Sequence, residues 1–313
     1  MTDKVEAFIK GVKEKHDNLE SIELNKYSLG AWSISKLKCL QKCPFQFYLK
    51  YVLKIKVPED VGGKQDTLLA DVGTAGHRIL ELVVIGKSIQ TSFATAKREF
   101  VPSKLTEEQW KEHVENLEMS VIAFQERMQK LERNYKIKHL FTELRLGVTK
   151  DWEATGFFSD NVYFRGIIDL VIQLDNLDII IIDHKTGGGE GSIRMYEDQL
   201  NSYKPLFHHG KTPVAGAQSG IHFIRAGDVK MGTFSSKEDI EKKLIAELEW
   251  SIEGAVETVK ELGYWKHIRG GQCKYCEYDQ FCKPGMLKEI EKDTKRFFKG
   301  IPIVQTSAEI TED

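Results

Sequence analysis

The segment from Phe164 to Gly187 constrains this chain more than any other: two runs rich in Ile, Val and Leu, each broken by one acidic residue. Asp169 interrupts GIIDLV and Asp183 interrupts IIIIDHKTG. Branched apolar residues at this density favour strands. A near-continuous run such as the one over 179–182 favours a strand covered on both faces. Asp175, Asn176, Leu177 and Asp178 supply the turn between them. A hairpin centred on Asn176 pairs positions whose numbers sum to 352, and Asp169 with Asp183 is such a pair. Their Cβ atoms then stand roughly 5 Å apart. Two carboxylates that close repel unless one is protonated or a cation lies between them. A hard divalent cation with oxygen ligands resolves the conflict.

Lys185 is two residues beyond Asp183, so strand alternation puts both on one face. Beside metal-bound carboxylates a lysine can orient an attacking water and neutralise charge on a phosphate. An isolated D-x-K is read more simply as an ion pair closing a strand; Asp169 across the hairpin favours the cation.

Around this hairpin the pattern divides. Residues 3–17 read as a short amphipathic helix and 21–31 as a connection. A helix capped by Ser33 follows, perturbed by Pro44. Residues 58–66 read as a loop, and a helix starts at about Val72 with Leu80 and Val84 on one face. Thr106 opens a long charged helix over 106–134 with acids in its first turn. Strands are expected over 139–148, 161–174, 177–185 and 221–226, with helices over 193–207 and 236–262. A basic helix near 285–299 and an acidic tail close the chain.

Lys and Arg number 45 against 47 Asp and Glu, so no large positive field draws the chain onto nucleic acid. An enzyme with an acidic metal site and one basic groove is compatible with that balance. No apolar run approaches the roughly 20 residues that span a bilayer. The stretch from Met1 to Lys15 lacks the apolar core of a signal peptide. The expectation is a cytosolic protein, of a bacterium or of a phage-infected host, with no membrane partner.

Helical residues can complete the site. His77, in GTAGHRILE, lies one turn before Glu81 and could add a metal ligand. Gln199 and Tyr203, four apart in DQLNSYK, can hydrogen-bond a phosphate or Lys185. Glu143 heads a strand and could join the acidic cluster. Taken in order, G-x-x-H-x-x-x-E, G-x-x-D, D-x-K-T-G and Q-x-x-x-Y resemble the RecB-type branch of the PD-(D/E)XK nucleases over about Ser33 to Cys282. The resemblance implies His77, Asp169 and Asp183 as ligands of Mg²⁺ or Mn²⁺, with the carbonyl of His184 joining them. It makes Lys185 the catalytic lysine and Gln199 and Tyr203 its support. His184 departs from the family, which more often has an aromatic or apolar residue there; the position mainly lends its backbone.

Five cysteines fall in two groups, Cys39 and Cys43 near the start and Cys273, Cys276 and Cys282 near the end. In a reducing compartment they are not expected as disulfides. C-x₂-C-x₅-C asks for a metal and a fourth ligand, either Cys39 or Cys43, and zinc or a [4Fe–4S] cluster fits equally. A Cys-Pro followed far downstream by this motif resembles the iron–sulfur staple of AddB-type and CRISPR-adaptation nucleases. That implies Cys43 as the fourth ligand and Cys39 as a spare thiol. Such a staple would close a long loop and restrict the unfolded chain.

The fold expected is a single α/β domain over 1–313, with a central mixed sheet flanked by helices. It comprises a mainly helical lobe over 1–135 carrying Cys43 and His77, a catalytic sheet core over 136–235, and a long helix with an iron–sulfur cap and tail over 236–313. The function expected is hydrolysis of DNA by an exonuclease acting on single strands or ends in repair, recombination or replication. A separate helicase or recombination protein is a possible partner. The alternative is a catalytically silent DNA-binding accessory with a structural iron–sulfur or zinc site.

Overall fold

The computed structural model describes residues 3–58, 61, 68–186 and 193–299; most of the expected loop over 58–66 and the triple glycine at 187–189 lie outside them. Contacts group the chain into two compact units, Met1–Gln65 with Glu249–Asp313, and Asp66–Leu248. They cut across the three sections expected from the sequence.

The first unit joins both ends of the chain. It contains α1 (Asp3–Asp17), α2 (Ile34–Lys42) and α3 (Pro44–Phe47), which runs on through a wide turn over Tyr48–Val52. Ser33 caps α2 by accepting the Lys36 N–H at 3.3 Å. Cys43 then breaks the helix in extended backbone, and Pro44 restarts it at the position where its missing N–H costs nothing. The aromatic run that follows is buried against Trp265, whose ring stacks on Phe47 at 5.7 Å. Downstream residues bind it further: the Phe45 N–H donates to the Lys266 carbonyl, and Tyr278 Oη donates to the Ile55 carbonyl.

The second unit carries the sheet. Its helices are α4 (Leu68–Val84), α5 (Ile89–Phe100), α6 (Glu118–Asn134) and α7 (Glu197–Gly210). Its strands are β1 (Ile137–Val148), β2 (Ala154–Thr155), β3 (Phe164–Leu174), β4 (Asp178–Lys185), β5 (Gly216–Phe223), β6 (Asp228–Met231) and β7 (Ser235–Ser236). The order is β2-β1-β3-β4-β5-β6, with β7 also on β5. Only β4 and β5 run parallel, so the sheet is mixed. On one face α4, α5 and α6 bury Val72, Ile79, Leu80 and Phe124 against Leu170, Ile172 and Ile182. Each such side chain contributes roughly 1.5–3 kcal/mol by leaving water. On the other, α7 sets Phe207 against Phe141 of β1.

The hairpin register follows the expected sum: Leu170 pairs with Ile182, Val171 with Ile181 and Ile172 with Ile180. Other expectations change. Thr106 does open a helix, with a reciprocal cap to Gln109, but 106–134 is not one continuous α-helix. A wide turn over Trp110–Val114 and a tight one over Glu115–Leu117 precede α6. Their opposite winding keeps Trp110, Val114, Leu117 and Val121 in one core cluster. The helix expected from Ser236 likewise opens with a wide turn over Asp239–Leu244. The strand expected at 221–226 begins at Gly216, among small residues that carry little strand signal, and ends at Phe223.

One irregularity reorients the β1–β3 pair. Glu143 has φ 47, in the left-handed region, and the ladder passes from Thr142–Leu170 to Leu144–Ile168. Before it, Phe141 faces α7 while Leu140 faces the α4 side. Beyond it the order reverses. Leu146 and Val148 crowd Gly210 of α7, and a Cβ on Gly166 would meet Leu206 of α7 at 2.9 Å. Residues 143 and 145 of β1, with 165, 167 and 169 of β3, therefore share the α4 side.

Candidate functional site

Glycines bring α4 to the sheet. A Cβ on Gly73 would stand 2.9 Å from Thr186 Oγ1, and one on Gly76 would stand 3.4 Å from Thr186 Cγ2. The helix thus lies close enough for His77 to reach the ends of β3 and β4. Its Nδ1 is 3.7 Å from Glu143 Oε1 and 3.7 Å from Asp169 Oδ2, and its Nε2 is 3.0 Å from the His184 carbonyl oxygen. The N–H of His184 itself donates to Asp169 Oδ2 at 2.7 Å.

Among the described residues, His77, Glu143 and Asp169 are the three whose possible ligand atoms all fall within 4.8 Å of one another. Two carboxylates, an imidazole and a nearby carbonyl form an oxygen-dominated set that suits a hard divalent ion. Burial and the charge of Asp183 push the Asp169 carboxyl up to about 7, while His77 and the His184 N–H act to hold it down. Burial disfavours the His77 cation, but Glu143, Asp169 and Asp183 raise its pKa overall. The strained left-handed backbone at Glu143 is what turns that carboxylate toward His77.

Asp183 occupies a second cluster beside this set. It is buried, its Oδ2 lies 2.7 Å from Lys185 Nζ, and its Oδ1 accepts Gln199 Nε2 at 2.9 Å. Gln199 also donates to Tyr203 Oη at 2.7 Å. The Q-x-x-x-Y pair thus holds the carboxylate, where the sequence suggested a phosphate or Lys185. Burial and the nearby Asp183 charge raise the Tyr203 pKa, keeping it a neutral phenol. Glu81 turns from the centre to pair with Arg78 at 2.7 Å.

Other neighbours, Phe124, Tyr196 and His222, had no sequence signal. His184 and His222 are buried with their Nδ1 atoms 3.0 Å apart, and Phe124 stacks on His222 at 4.6 Å. Lys185 Nζ stands 5.5 Å from the Tyr196 ring. Neither Tyr196 nor His222 belongs to a motif; each is placed by a strand crossover or a helix entry.

In the first unit, all five cysteines are free thiols. Cys43, Cys273, Cys276 and Cys282 line one cavity with Phe45, Leu49 and Tyr278. They do not draw together to the spacing of the His77 set. Burial raises the Cys43 thiol, and burial with the neighbouring thiols raises Cys276 to about 11. Cys39 stays outside the lining, and burial raises it to about 12. No helix among the described residues is long and apolar enough to cross a membrane.

No curated protein sequence matches the chain. Two solved structures are similar over most of their length. The crystal structure of SSO0001 matches at 15% identity and TM-score 0.35, over 88% of this chain and 94% of its own. That of a "Putative exonuclease" from Eubacterium rectale matches at 13% identity and TM-score 0.42, over 77% and 84%. The family model described as the PD-(D/E)XK nuclease superfamily matches residues 31–283, a span that contains His77, Asp169, Asp183, Lys185, Gln199 and the cysteine motif. This chain belongs to the PD-(D/E)XK nuclease superfamily.

Proposed function

We propose that this nuclease is a Mg²⁺- or Mn²⁺-dependent deoxyribonuclease, an exonuclease working on single strands or DNA ends in repair, recombination or replication. The observation that carries the reading is the pairing of two clusters: His77, Glu143 and Asp169 within metal-sharing distance, and Lys185 against Asp183 beside them. His77, Glu143, Asp169 and Asp183 would hold the ion, with the His184 carbonyl available to it. When bound, the ion supplies Lewis acidity to a phosphoryl oxygen and lowers the pKa of water. Asp183 directs Lys185 through their 2.7 Å contact, so that its ammonium can position the nucleophile and balance the phosphorane charge. Gln199 fixes the Asp183 rotamer, and neutral Tyr203 fixes Gln199.

The cysteine-lined cavity we read as the seat of a [4Fe–4S] cluster on Cys43, Cys273, Cys276 and Cys282. In a zinc tetrahedron with 2.3 Å bonds the sulfurs would stand about 3.8 Å apart. Four thiols around one cavity suit either group by donor type, and the Cys-Pro followed by C-x₂-C-x₅-C supports the iron–sulfur reading. Free thiols throughout fit a reducing cytosol.

Cleavage of end-labelled single- and double-stranded DNA by anaerobically purified protein tests the reading. Wild type should degrade DNA with Mg²⁺ or Mn²⁺ and stop with EDTA. Asp183→Ala and Lys185→Ala should each lose about a hundredfold or more. Full metal-dependent cleavage by both variants would refute the mechanism. No cleavage by intact wild type would favour an accessory DNA binder.

A further inference from the structure

The reversal of face at Glu143 has a second effect: the surface that carries Glu143 and Asp169 continues outward along β1 and β3. Arg145 pairs with Ile167, and Arg165 pairs with Gly147. Arg145 is exposed, and Ile167 is 37% exposed although it lies in a strand otherwise rich in buried apolar residues. At the outer end, Arg165 lies over two aromatic rings, 4.9 Å from the Phe157 centroid and 5.9 Å from that of Phe158. Arg165 also donates to the Phe157 carbonyl at 3.0 Å, which fixes the guanidinium. Phe158 leaves 75% of its surface in water, with its ring edge-on to Phe157 at 4.9 Å.

A phenylalanine ring held open to solvent beside a fixed guanidinium, on the face that bears acidic ligands, calls for a partner with both a flat apolar face and negative charge. A nucleobase on its phosphate backbone has both. Stacking on an aromatic ring is available only to a base outside a duplex. Four residues of strand separate Arg165 from Asp169, roughly 13 Å. That span is short enough for one strand to touch both.

We propose that Arg145, Ile167, Arg165 and Phe158 form a track for single-stranded DNA, with an unpaired base stacked on Phe158 and phosphates on the two arginines. The inference rests on the nuclease reading for the identity of the strand that enters the site. It adds where that strand runs and why an unpaired one is preferred.

Fluorescence anisotropy in EDTA with 5′-labelled oligothymidylate, and with the same label on blunt duplex, tests the track without cleavage. Wild type should favour the single strand. Phe158→Ala should weaken that binding about tenfold, with Phe158→Trp restoring it. Arg165→Gln should reduce the slope of log affinity against log salt by about one. In Mg²⁺ the Phe158→Ala loss should fall on KM more than on kcat. Unchanged single-strand binding by Phe158→Ala would overturn the proposal, as would equal loss on single strand and duplex. Conversion of a dimer to a monomer by Phe158→Ala would also overturn it, by making the patch a contact between copies. The two readings fail separately. Stacking-dependent binding by a wild type that cleaves nothing removes the nuclease and leaves the track; normal cleavage with Phe158→Ala binding unchanged removes only the track.

Discussion

The acidic centre and the thiol-lined cavity meet the same requirement, a reason to bury groups that want charge, in opposite ways. At the first, His77, Glu143 and Asp169 are drawn within 4.8 Å, and the conflict is left in place: Asp169 is pushed up to about 7 by burial and by Asp183. The ligands come from a helix and two strands of one contiguous unit. At the second, burial raises Cys43, Cys276 and Cys282 and keeps those thiols neutral, and the four lining cysteines come from opposite ends of the sequence. A site poised for catalysis keeps its geometry and lacks only charge compensation. On the iron–sulfur reading the second is a staple, whose contribution is the crosslink itself. Loss of occupancy should therefore cost activity at the first and folding at the second.

The largest effect that could break this contrast is at Cys43. Cys43→Ser should lose the visible absorbance and bound iron, and cost roughly 3–5 kcal/mol of stability, the scale of removing a structural crosslink. Iron analysis and thermal melts check it. Full iron in Cys43→Ser with loss in Cys39→Ser would move the fourth ligand to Cys39.

A middle effect belongs to the acidic centre. Mg²⁺ at about a hundredfold its Kd should stabilise wild type by about 2.7 kcal/mol. In Asp169→Asn that gain should shrink or vanish, and in EDTA the variant should melt above wild type because one of the repelling carboxylates is gone. Differential scanning fluorimetry reads both. Equal Mg²⁺ shifts in the two proteins would show that Asp169 does not hold the ion.

A pH-dependent effect sharpens the comparison with a buried charge that needs no ion. Lys204 Nζ is satisfied by the Thr233 carbonyl at 3.0 Å and Ser235 Oγ at 2.9 Å, and burial lowers its pKa from 10.5 to about 8. Between those values the unfolded chain binds the extra proton, so stability contributed by this group rises with pH and the full penalty applies below about 8. Melts across that window should show wild type gaining on Lys204→Met. Parallel curves would remove Lys204 as the cause.

The sequence carried the mixed sheet and its central hairpin better than the irregular elements around them. Period-two patterning and one turn were enough to set the hairpin register from Gln173–Ile179 to Leu170–Ile182, because register in a hairpin is set by its turn and its buried face. His77 was legible through its motif. Glu143 was legible only as a candidate, since a single left-handed residue leaves no periodic trace. β2 and β7, two residues each, are too short for any pattern. The pairing of 1–65 with 249–313 depends on contacts such as Phe47 with Trp265, which local propensity cannot anticipate.

That pairing sets a timetable for synthesis. The unit Asp66–Leu248 is contiguous and can fold as soon as Leu248 clears the ribosome, whereas a cluster on Cys43 would have to wait for Cys282, about 240 residues behind it. At roughly 5–20 residues per second the wait lasts on the order of ten to fifty seconds. Through that interval the nascent chain would carry an unmatched thiol, joined by a finished sheet only near its end, so oxidants or competing metals would reach Cys43 before Cys273, Cys276 and Cys282 do.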